Sequence, residues 1–180
     1  MSITKISTIT VGSGGAASID FTSIPGTYTD LMIVISGRTT RSDAPFQDCL
    51  IRFNGSTSGY SGRSLYGAGS GSGASDNFSS GTYGKVGNSS TNNATSNTFG
   101  SHTVIIPNYA GDKNKSYSAD AVAENNASLS LQQIQAQLWA NIAAITSITL
   151  FPESSNTWVE HSSATLYGIT KGSSGGVTVS

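Results

Sequence analysis

The apolar residues of this chain come in short β-branched runs that Gly, Pro or Asn interrupts before a helix of ordinary length can form. Leu31-Met-Ile-Val-Ile-Ser36 is continuous, of strand length, and reads as a central strand covered on both faces. Ile3 to Val11 precedes a Gly-Ser-Gly-Gly turn at 12–15, and Ala17 to Phe21 then alternates Ile19 and Phe21 with polar neighbours. Gln47 to Phe53 sets Cys49, Ile51 and Phe53 on one face and Asp48 and Arg52 on the other, which makes Cys49 a small buried hydrophobe. Further strands are expected at Ser101 to Ile106, Ser116 to Ala123, Ile145 to Phe151 and Ala164 to Ile169, with a shorter piece at Trp158-Val159. Leu129 to Asn141 fits either period. Ile134, Ala136 and Leu138 alternating with Gln133, Gln135 and Gln137 favour a strand, because no charged caps frame a helix.

These segments predict an all-β chain, an antiparallel sandwich of jelly-roll type with about eight or nine strands. Residues 1–170 read as a single domain and 171–180 as a Gly/Ser-rich tail. Within that domain, 56–97 reads as a loop-rich insertion with short strands, since Gly and Ser dominate 67–75 and Asn, Ser and Thr dominate 88–97. Long loops in a compact domain tend to carry function, so a partner surface is expected there.

Composition narrows the partners. Nine basic and ten acidic side chains give a formal charge of −1, and 11% of residues are charged, far below the usual quarter or so. No basic field is present to hold a nucleic acid or an anionic membrane. No apolar stretch is long enough for a membrane span, and the amino terminus has no apolar signal core. With one cysteine, Cys49, an internal disulfide is impossible.

No catalytic or cofactor-binding motif emerges. Cys49, His102 and His161 lack the surroundings of a thiol–imidazole pair and the spacing of a zinc site. Asp112-Lys-Asn-Lys-Ser116 spaces oxygen donors as a calcium loop does, but two lysines intrude and the distal glutamate is missing. Glycines at 67, 69, 71 and 73 lack the lysine of a phosphate loop. Asp48, Glu153 and Glu160 could serve glycoside hydrolysis only if the fold brought them together. Neither a metal nor a cofactor is therefore expected, nor an enzymatic activity. Tyr60, Tyr66, Phe78 and Tyr83, rings set among small polar residues, are the candidate partner contacts.

Ile24-Pro-Gly-Thr-Tyr-Thr-Asp-Leu31 leading to Ser36-Gly-Arg38, Ile106-Pro-Asn-Tyr-Ala-Gly111, Ala144-Ile-Thr-Ser-Ile-Thr-Leu150 and Ser163-Ala-Thr-Leu-Tyr-Gly-Ile169 span most of the chain. In these landmarks it resembles small virion structural proteins of tailed bacteriophages, especially those infecting cyanobacteria and other aquatic bacteria. The resemblance implies a β-sandwich, commonly trimeric, made in the host cytoplasm and incorporated in the virion. It implies a capsid decoration (cement) protein on the outer head surface, contacting the major capsid protein and copies of itself. The alternative is a tail fibre, spike or baseplate component that binds a host receptor or glycan. Decoration ranks first because the chain is short, with no shaft repeat or second domain.

Overall fold

The computed structural model describes residues 1–69 and 71–171; the Gly/Ser-rich tail expected at 171–180 lies, but for Lys171, outside them. The chain is all-β, with no helix among the described residues. Its strands are β1 (Ser2–Thr10), β2 (Ile19–Phe21), β3 (Asp30–Thr39), β4 (Phe46–Phe53), β5 (Tyr60–Ala68), β6 (Ala74–Gly81), β7 (Gly84–Thr91), β8 (Gly100–Pro107), β9 (Lys115–Glu124), β10 (Ser130–Trp139), β11 (Ile148–Pro152) and β12 (Ser163–Thr170). They form one large, open, mixed sheet whose path runs β2-β11-β4-β7-β3-β8-β9-β10-β5-β6; β12 lies along β3, and β1 along β12. All pairings are antiparallel except one, in which Arg38 and Thr39 at the end of β3 run parallel to Ser90 and Thr91 of β7.

At that parallel junction the sheet turns over on itself. Beyond it β7 lies across the inner faces of β8, β9 and β10, close enough that a Cβ on Gly87 would stand 2.2 Å from that of Ala121. The core fills the space between the two parts. Ile33, Ile35, Val104 and Ile106 face Ile51, Val86, Ile148 and Leu150, all buried. An aromatic cluster closes one end: the Phe53 ring lies 5.4 Å from Tyr117 edge-on and 5.5 Å from Trp139, and Tyr60 stacks on Trp139 at 6.2 Å.

Three local readings change. The expected loops of 56–97 are three full strands, β5, β6 and β7, joined by tight turns. Within these strands Gly62, Gly84 and Gly87 mark close packing rather than chain reversal. Gly62 has the Gln137 amide 2.5 Å from where a Cβ would be, and Gly84 faces the Tyr117 hydroxyl more closely still. The central strand β3 is covered on one face over Leu31–Ile35; Val34 points outward and is 39% exposed.

The third change is the phase of β10. It is a strand, as expected, but Gln133, Gln135 and Gln137 face inward with Leu131 and Trp139, while Ile134 faces out. The cause lies in β7, which pairs with β4 on one side and leaves backbone donors on the other. Gln133 Oε1 accepts from Asn88 N at 2.7 Å, and Gln137 Oε1 from Lys85 N at 3.3 Å. A buried amide without a partner costs about 1–3 kcal/mol, comparable to the gain from turning one isoleucine inward. Small Ala119, Ala121 and Ala123 on β9 let the β7 backbone approach within reach.

Candidate functional site

The four predicted contact rings do not converge. Tyr60 is fully buried, its hydroxyl accepting from Phe53 N at 2.8 Å, so it belongs to the core and presents no surface. Its phenol is pushed up to about 12 by burial, against the opposing Phe53 hydrogen bond and Arg52 charge. Phe78 is half-buried against the core with the Lys85 ammonium 6.0 Å above its ring. Tyr83 sits on another part of the surface, edge-on to Phe151 at 6.3 Å, and Arg52 lies 4.7 Å over the Phe151 ring. Tyr66 lines a cleft and an adjoining groove.

The remaining sequence candidates are structural where the geometry resolves them. Burial pushes the Cys49 thiol up to about 12, the reverse of an activated nucleophile. His102 is fully buried; Nδ1–H donates to Val86 O at 2.9 Å, which leaves Nε2 to accept from Ser89 Oγ at 2.8 Å. This imidazole ties β8 to β7 in its neutral form. His161 stands apart in an exposed left-handed turn. In the 112–116 turn the cation is the chain's own: the buried Lys115 ammonium donates to Gly111 O at 2.6 Å, to Ile142 O at 3.4 Å and to Lys113 O. The run of glycines from 67 to 73 forms the β5–β6 hairpin end.

His102 makes stability depend on pH. Burial holds its pKa below the usual histidine range, although the Val86 carbonyl opposes this. The unfolded chain takes up a proton near pH 6.5 that the native chain refuses, so this stabilisation is complete above pH 6.5 and is lost as pH falls below it. The expected slope is about 1.4 kcal/mol per pH unit until the native imidazole itself protonates. Urea unfolding across pH 7.5 to about 5 checks this, with His102→Gln expected to flatten the slope.

Two surface features remain. On the outer face of β9, β10 and β5, Val122, Ile134 and Leu65 are 44%, 55% and 56% exposed, and they flank a groove of about 860 Å³ that runs to the β5–β6 hairpin. Asp120, Glu124 and Arg63 are the charges this face carries beside them.

The second is a cleft of about 200 Å³ where β4 and β7 meet the β5–β6 hairpin. Five of the chain's nineteen charged side chains line it: Arg41, Asp48, Asp76, Lys85 and Glu153. Lys85 Nζ donates to Asp48 Oδ2 at 2.6 Å. Burial opposes its charge, but Asp48, Glu153 and Asp76 together raise its pKa above the ordinary lysine value. Arg41 is oriented by Asp43 at 2.7 Å and sits in the fields of Glu153 and Asp48. Thus Asp48 and Glu153, two of the three carboxylates noted in the sequence, do come together, whereas Glu160 lies on an exposed turn elsewhere. Arg41, Asp76, Lys85, Asn88 and Gln133 were not legible as a group, for they come from four separate elements, the turn after β3 and strands β6, β7 and β10. The usable signal was scarcity, since each charge in so neutral a chain needs a reason to be there.

No protein family, curated protein or solved structure matches the chain.

Proposed function

We propose that this chain is a non-enzymatic structural protein of a bacteriophage virion, a decoration protein that binds the outer surface of the head. The observation that supports this reading best is the outer face of β9, β10 and β5, where Val122, Ile134 and Leu65 stand exposed beside Ser118, Gln132 and Ala136 on a regular antiparallel surface. Contiguous exposed apolar residues on a rigid sheet suit a permanent protein contact, and scarce charge makes shape and hydrogen bonding its source of affinity. The finer fold reading, a β-sandwich of jelly-roll type, draws support from the way β7 lies over β8, β9 and β10 with the core between. Assembly as a homotrimer on the shell belongs to the same proposal.

The mechanism is mass action. A ligand that binds the assembled shell and not its separated subunits stabilises the shell by about 2.7 kcal/mol per site at a concentration one hundredfold above Kd. Cryo-electron microscopy of purified virions tests this. Density for the chain repeated over the icosahedral head is the expected result. A few copies confined to the tail would overturn it in favour of a fibre, spike or baseplate component that binds a host receptor.

A further inference from the structure

We propose that the cleft between β4, β7 and the β5–β6 hairpin binds one pyranose unit of a neutral saccharide. This goes beyond a shell-binding role and does not depend on it. The charges argue for the ligand class. Asp48, Asp76 and Glu153 disfavour an anion, while Lys85 and Arg41 disfavour a cation, and the five together come to −1. What remains is an uncharged molecule dense in groups that both donate and accept, as sugar hydroxyls do.

Unused hydrogen-bonding capacity points the same way. Among the described residues, Asp76 and Glu153 form no ion pair within 4.0 Å, unlike Asp48. Gln133 is 94% buried (6% exposed), and its Oε1 accepts both Asn88 N at 2.7 Å and Asn88 Nδ2 at 3.0 Å. That pair of donors fixes the amide orientation and leaves Nε2, which has no partner among the described residues, on the side of the cleft that Gln133 lines. Nε2 is the end of this otherwise buried side chain that meets the cleft, and a ligand oxygen would take its free donors. Tyr66 and Leu131 supply the apolar wall that the C–H face of a sugar ring requires. The volume, about 200 Å³, is the room of roughly seven waters, which accommodates one six-membered ring and not two.

The test is nuclear magnetic resonance of the isolated chain titrated into the millimolar range with D-glucose, D-galactose, D-mannose and N-acetyl-D-glucosamine, with glucuronate and glucosamine as charged counterparts. Saturable shifts of the Asn88 backbone amide and the Gln133 side-chain amide with at least one neutral sugar are expected. Asp76→Asn and Glu153→Gln should each weaken that binding about tenfold or more while leaving the rest of the spectrum in place. Silence from all four neutral sugars overturns the proposal, as do shifts that persist unweakened in both variants. Tighter binding of glucuronate or glucosamine than of every neutral sugar overturns it equally. None of these results bears on where the chain sits in a virion, so the two readings fail separately.

Discussion

Gly87→Ala is expected to destabilise the fold by about 3 kcal/mol or more, because it combines a forbidden backbone with a steric collision. Gly87 has φ +101°, a conformation open to glycine and closed to alanine. Its added methyl would also meet the Ala121 Cβ at 2.2 Å, with backbone on both sides and no flexible end to swing away. Urea denaturation measures the loss as a lower midpoint at unchanged m. Pairing the change with Ala121→Gly separates the two causes. The double variant should recover the steric part, about 1–3 kcal/mol, less what the cavity at 121 itself costs, and leave the backbone strain. Full stability in Gly87→Ala would mean that β7 does not lie against β9 as described.

Arg38→Met is expected to cost about 3 kcal/mol or more, because it leaves three carbonyls without their donor and each buried acceptor so stranded costs about 1–3 kcal/mol. The Arg38 guanidinium is almost wholly buried and donates to Thr95 O at 2.8 Å, Thr98 O at 2.9 Å and Ala94 O at 3.0 Å. One planar fork thus satisfies three carbonyls of the turn between β7 and β8, at the point where β3 meets β7 in parallel. Methionine keeps most of the volume and none of the donors. Hydrogen exchange should quicken at Ala94 and Thr98, whose amides close that turn, before exchange in β8 or β9 changes. Arg38→Lys should recover less than half of the loss, since an ammonium cannot span the three acceptors in one plane.

How much of this was readable beforehand depended on what each residue answers to. Strand existence was legible outside 56–97 because Val, Ile and Thr runs reflect local sterics, and Ile19, Phe21, Cys49, Ile51 and Phe53 face inward as alternation predicts; β5, β6 and β7, rich in Gly, Ser and Asn, carry no such runs. The phase of β10 was not, since it answers to β7, over forty residues away, whose unpaired donors draw Gln133 and Gln137 inward. Leu131 and Trp139, at odd positions with the glutamines, held the correct phase all along. Glycine misled for the same reason. At 62, 84 and 87 it records a neighbour pressed against the backbone, which a lone sequence presents in the same way as a turn. The cleft was least legible, because its charges converge from different strands and no spacing links Arg41 with Glu153.

The position of β12 carries a consequence for biogenesis. Ala164, Leu166 and Gly168 pair with Ile35, Ile33 and Leu31, and β12 also carries β1 on its other edge. During translation, β3 is made well before the strand that completes it. At about 5–20 residues per second, the interval between residue 39 and residue 163 is roughly 6 to 25 seconds. Throughout it, one edge of the most apolar strand has no native partner, and β1 has none at all. A nascent chain in this state is open to pairing with the wrong strand, including that of a neighbour on the same message. Productive folding therefore waits on the last strand, and conditions that lengthen the delay, such as slow codons in the second half of the message, should lower soluble yield without altering the finished protein.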